Sequence, residues 1–117
     1  GRYAFMVKKE WRNGACGAML GIGAAIGIIV NANPFLKKEL QAVNKITSKV
    51  QTEMSRYSGP RCCKRATWIS IEKAVEGMNV FFDLKLENSP ILCTWQNGNK
   101  ECQGKCCKYY LNKDIKC

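Results

Sequence analysis

The stretch from Lys73 to Cys93, KAVEGMNVFFDLKLENSPILC, decides how the rest of the chain is read. Val80, Phe82, Leu84 and Leu86 fall on one side of a two-residue period, and Asn79, Asp83, Lys85 and Glu87 on the other, with Phe81 as the exception. That period predicts a strand over 78–87 with one buried and one wet face. The segment before it reads the same way: Ile69 and Ile71 share a side, and a strand is expected over 66–72. Gly77, in the short connection, makes the pair a hairpin.

Downstream, Ser89-Pro90 interrupts the chain, 91–96 (ILCTWQ) reads as a third strand and Asn97-Gly98-Asn99 as a turn. The tail, 102–117, offers Tyr109, Tyr110 and Leu111 as a further short strand. Upstream, 34–57 reads as a helix with Asn33 as N-cap and Pro34 in the first turn. Leu36, Leu40, Val43, Val50, Met54 and Tyr57 form its apolar stripe, with Thr47 filling the gap, and Ser58-Gly59-Pro60 ends it. One long helix followed by an antiparallel sheet is an α+β layout, with the helix on one sheet face.

Residues 14–30 (GACGAMLGIGAAIGIIV) are uncharged and carry five glycines, two pairs of them at GxxxG spacing. Three readings compete: an arm or buried helix packed on the domain, a membrane-active segment, and the apolar core of a signal-like sequence behind Lys8, Lys9 and Arg12. A start at Gly1 rather than Met leads to the expectation that something upstream was removed. The organisation expected is therefore a Gly-rich arm, 1–32, and one domain, 33–117.

Eight cysteines in 117 residues predict a disulfide-stapled fold from an oxidising, extracellular compartment. The metal-site reading is the weaker one, because the chain has no histidine and no pair of CxxC knuckles. Cys62-Cys63 and Cys106-Cys107 are adjacent pairs, and RCCKR (61–65) reads as a basic connector. Without histidine, Ser-His and Cys-His catalysis are excluded. Asp83 and Glu87 read as solvent-facing charges, so no enzyme, cofactor or metal is expected. A net charge of +10 points to anionic partners such as an acidic membrane surface or a polyanion, and equally to plain solubility. Lys37, Lys38, Lys45, Lys49 and Arg56 are spread along the helix as a solvated face, and no nucleic-acid motif is present.

The order of helix, hairpin and cysteine-bearing strand resembles the cystatin family. Ala42-Val43 with Lys45 and Ile46 is similar to that family's helix core, and Lys73-Ala74-Val75-Glu76-Gly77 resembles its Q-x-V-x-G inhibitory loop with lysine for glutamine. The strand from Gly77 to Leu86 is similar to the G-V-N-Y-F-L-D-V-E-L type of strand. The resemblance covers roughly residues 33–102. It implies a disulfide between Cys93 and Cys102, and places Gly23 near the family's N-terminal glycine. The chain departs from the family in its longer helix-to-hairpin connector, its extra cysteines and the lack of a Pro-Trp loop.

What the resemblance implies is a secreted wedge that inhibits papain-like cysteine proteases reversibly. Lys73–Gly77 would act as the binding loop and Gly23 as the N-terminal wedge, with preorganised loops filling the cleft. Two alternatives stay open: a cationic host-defence or membrane-active protein, and a non-inhibitory extracellular structural or reproductive protein. Target protease, oligomeric state and disulfide connectivity are not readable from the residues.

Overall fold

A computed structural model describes residues 16–57, 62–100 and 102–111. It holds three helices, α1 (Gly17–Ile29), α2 (Lys37–Ser55) and α3 (Cys63–Phe82), and two 3-10 turns at Gln96–Gly98 and Gly104–Cys106. Each helix packs against the other two. The described residues form no strand; the one β-type pairing among them is an isolated parallel bridge between Cys93 and Tyr110.

The α+β, cystatin-like plan of a helix on an antiparallel sheet is therefore overturned. The expected strand over 66–72 and the first half of the one over 78–87 belong to a single helix, α3, with no turn between them. β-branched and aromatic residues (Ile69, Ile71, Val75, Val80, Phe81, Phe82) gave that segment its strand character. Tertiary packing overrides the preference. The residues that α3 buries are Arg65, Ile69, Ser70, Ala74, Gly77 and Met78, at steps of three and four along one helical face. Val80, assigned to a buried strand face, is 70 % exposed, and Leu84 and Leu86 are exposed as well.

Helix α2 lies where a helix was expected, although its N-cap is Leu36 rather than Asn33. Asn33 instead shapes the turn before it, its Oδ1 accepting from the Phe35 N–H at 2.9 Å. The buried seam of α2 is Ala42, Ile46 and Val50, while Leu36 and Leu40 stay exposed.

The apolar run becomes α1. Four glycines make such a helix weak in isolation, so its stability comes from packing. Gly23 is buried, and a Cβ there would stand 2.8 Å from Thr47 Cγ2. Gly77 faces the adjacent residue of α2: its added Cβ would come within 2.7 Å of Ile46 Cδ1 and nearer still to Cγ1. Two glycines on different helices thus let α1 and α3 close on α2 at Thr47 and Ile46. Gly21 and Gly27 have open space where a Cβ would go. Gly21→Ala and Gly27→Ala are therefore expected to raise stability by about 0.5–1 kcal/mol each, through backbone entropy alone. Thermal unfolding checks this; a lowered melting temperature would contradict it. No helix among the described residues is long and apolar enough to cross a membrane.

Two core clusters show how the helices run. Ile26, Ile46, Ala74 and Met78 pack together toward the end of α1 and of α3. Val50, Ile69 and Tyr109 pack with Met19, Met54 and Trp68 toward the start of α1, the end of α2 and the start of α3. The helices are therefore up, down and up, and the starts of α1 and α3 share one end of the bundle. Asp83, at φ 53°, ends α3 in the left-handed conformation that Asp tolerates. The Asn79 side chain then pairs with the Leu86 backbone, donating to its carbonyl at 2.9 Å and accepting its N–H at 2.8 Å. This folds the chain back along α3 and returns residues 91–100 and 102–111 to the helix's first turns.

Candidate functional site

The returning segment meets the start of α3 around a cavity of about 290 Å³. Five cysteines line it: Cys62 and Cys63 from the start of α3, and Cys93, Cys102 and Cys107 from the loop. All five are free thiols; Cys63 is exposed and the other four are half-buried. Cys16, also a free thiol, stands just before α1 at the same end of the bundle but outside the cavity lining. Cys106 is disulfide-bonded.

Cations share this cavity. Arg65 is only 8 % exposed. Its Nη1 donates to Gln103 Oε1 at 2.9 Å, and its guanidinium lies 4.4 Å from the centre of the Tyr57 ring. Among the described residues no carboxylate pairs with it. Burying a cation without a counter-ion is costly, so an anionic group in the cavity would be favoured. Lys64 stacks over Trp95 at 4.2 Å on the same wall.

Two sulfurs already accept polar hydrogens: Cys102 Sγ from the Gly104 backbone N–H at 3.3 Å, and Cys62 Sγ from Asn99 Nδ2 at 3.9 Å. Such donors stabilise negative charge on sulfur. Gly104 has φ 58°, a left-handed position that suits glycine and turns its N–H back toward Cys102. Among the described residues no three Cys, Asp or Glu groups are gathered tightly enough to hold a single metal ion.

A polar clasp fastens the loop beside the cavity. Glu72 Oε2 accepts from Lys108 Nζ at 2.6 Å and from the Tyr109 hydroxyl at 2.9 Å, and Lys108 reaches Glu53 Oε1 at 3.7 Å. Tyr109 is buried and meets Trp68 edge-on, ring centres 5.3 Å apart. Burial, then the hydrogen bond to Glu72 and its charge, push the Tyr109 phenol far above its ordinary range. Burial alone would lower the Lys108 ammonium, but the hydrogen bond to Glu72 and the charges of Glu72 and Glu53 outweigh it and raise it.

The residues expected to form an inhibitory loop lie elsewhere. Lys73–Gly77 sits within α3; Ala74 and Gly77 are buried, and Lys73 pairs with Glu76 at 3.2 Å. Gly23 is buried in α1 against Thr47 of α2. Cys93 and Cys102 are brought to the same cavity, as thiols rather than as the disulfide that the resemblance implies. Cys62, Cys107 and Arg65 were not singled out in advance. The cysteine doublets were the available signal, and Arg65 was hidden in what read as a basic connector.

Among the described residues, fold and site together define a three-helix bundle with a thiol-lined cavity clasped at one end. The chain belongs to the family described as a family of unknown function (DUF5714), whose model matches residues 12–110. No curated protein and no solved structure matches it.

Proposed function

We propose that this is a metal-binding protein whose Cys62, Cys93, Cys102 and Cys107 hold a thiolate-ligated metal centre where the loop meets the start of α3. The observation that carries this reading is the company these cysteines keep. Four half-buried free thiols line one cavity with a buried arginine that no described carboxylate neutralises. A metal held by four thiolates carries net negative charge for the divalent ions that favour sulfur, and Arg65 and Lys64 would compensate it. Such a centre would add a further staple to the loop. Among the described residues, 83–100 and 102–111 have two short 3-10 turns and one isolated bridge of regular structure, besides the Glu72 clasp and the Cys106 disulfide, and small irregular segments commonly rely on disulfide or metal staples.

This reading needs Cys62, Cys93, Cys102 and Cys107 as thiols, the form they have here, while Cys106 is disulfide-bonded; it therefore concerns those four thiols and assigns no compartment to the chain. It supposes a binding role without acid–base catalysis by the chain. Protease inhibition is not carried forward, because its premise was an exposed hairpin loop and Lys73–Gly77 is helical.

The test is elemental analysis of protein purified without oxygen, alongside a thiol count in the native and unfolded states. Stoichiometric metal with thiols masked until unfolding is expected, and Cys102→Ser or Cys107→Ser should abolish the metal while circular dichroism keeps the helical signal. A chain that stays metal-free after exposure to zinc, and to iron with sulfide, while all its thiols react, would reject the reading.

A further inference from the structure

We infer that the centre is polynuclear, an iron–sulfur cluster rather than a single zinc ion; this rests on the metal-centre reading above. Zinc bonded to sulfur at about 2.3 Å gathers four sulfurs to within about 3.8 Å of one another. The thiols here do not converge in that way. Among the described residues no three ligand groups share a point at which one ion could sit. They stand instead around a partly open cavity of about 290 Å³. A cluster places its own sulfides at the centre and binds the protein thiolates at its corners, so it suits ligands spread around a void.

The surroundings fit the same occupant. Cluster potentials and stability depend on hydrogen bonds to sulfur and on solvent exclusion. Cys102 and Cys62 receive N–H donors from Gly104 and Asn99. Trp68, Trp95 and Tyr110 supply apolar wall. Cys62 sits at the N-terminus of α3, whose dipole adds to the positive field of Lys64 and Arg65. Cys62, Cys93, Cys102 and Cys107 make a complete set of four protein ligands, drawn from both sides of the cavity.

The experiment is reconstitution of the full chain, free of oxygen, with ferric iron, sulfide and dithiothreitol, and in parallel with zinc or cobalt(II) alone. The expected product has more than one iron per chain, an equal amount of acid-labile sulfide and broad visible charge-transfer absorption. Cys102→Ser and Cys107→Ser should lose that absorption and Cys16→Ser should retain it. One cobalt per chain with a tetrathiolate spectrum, and no bound sulfide, would overturn the cluster while leaving a metal centre standing. No bound metal in either arm would overturn both.

Discussion

A chain carrying Gly77→Val is expected to melt about 10 °C or more below the parent, a loss of about 3 kcal/mol from overpacking. Gly77 is buried in the second half of α3, in the helix interior, where propensity alone would favour almost any other residue. Its hydrogen is tolerated because Ile46 of α2 occupies the volume a side chain would need. A first carbon already collides with Ile46 Cγ1 and Cδ1, and Ile46 is fully buried, with no empty side into which it can move. Valine adds two more carbons to the same place. The mechanism is separable from general damage by a double-mutant cycle. Ile46→Ala removes both colliding atoms, so Gly77→Ala should cost much less in that background than alone, with a coupling of about 1–2 kcal/mol. Strict additivity of the two changes would show that close approach to Ile46 is not why glycine is there.

The same residue shows where sequence reading stopped. Gly77 looked like the turn of a hairpin because it follows Val75 and precedes an alternating run. Its true requirement lies on another helix, and nothing local marks it. The helical period of α3 was hidden for a related reason: its core positions include Arg65, Ser70 and Gly77, which no hydrophobic pattern counts as core. Meanwhile Val80, Leu84 and Leu86, which do look like core, are exposed. Helix α2 was legible because its apolar residues recur at three- and four-residue steps between clear start and stop signals. The apolar run of α1 left a packed arm or buried helix, a membrane-active segment and a signal-like core open, and nothing in it marked Gly23 as the glycine that meets Thr47. The cysteines were visible, but their arrangement was not. It depends on Asp83 ending α3 and Asn79 gripping the Leu86 backbone, which sends the loop back to Cys62. Count and spacing then favoured disulfides, while burial of an unneutralised arginine among thiols favours metal. Only the second observation is three-dimensional.

Tyr109→Ala is expected to cost about 3–5 kcal/mol, as for other large aromatic deletions, and to loosen the thiol cavity with the fold otherwise intact. The residue is 2 % exposed, packs with Val50 and Ile69, and meets Trp68 edge-on. Its backbone carbonyl accepts the Cys93 N–H at 2.7 Å and survives the substitution, but the buried ring anchors that stretch of chain, so losing the ring loosens Cys93 through this bond and Cys107, two residues earlier, through the chain. Hydrogen exchange should rise in 91–111 far more than in α1 and α2, and metal retention should fall; uniform loss of protection would show that the loop does not detach as a unit. Tyr109→Phe keeps the ring and removes only the bond to Glu72, for a cost of about 1–3 kcal/mol. The two variants also separate the pH response. The native state raises the Tyr109 phenol above 10.0, the value of the unperturbed group, and raises Lys108 above 10.5. Groups whose proton is held more tightly in the folded state contribute fully below the unfolded value, and the contribution falls as pH rises beyond it. Stability should therefore be insensitive to these two groups around neutrality and decline from about pH 10 upward. In Tyr109→Phe the decline should be shallower, because only Lys108 and the similarly raised Tyr57 remain to drive it. Equal slopes in parent and variant above pH 10 would mean that the clasp, as built around Tyr109, does not hold the loop.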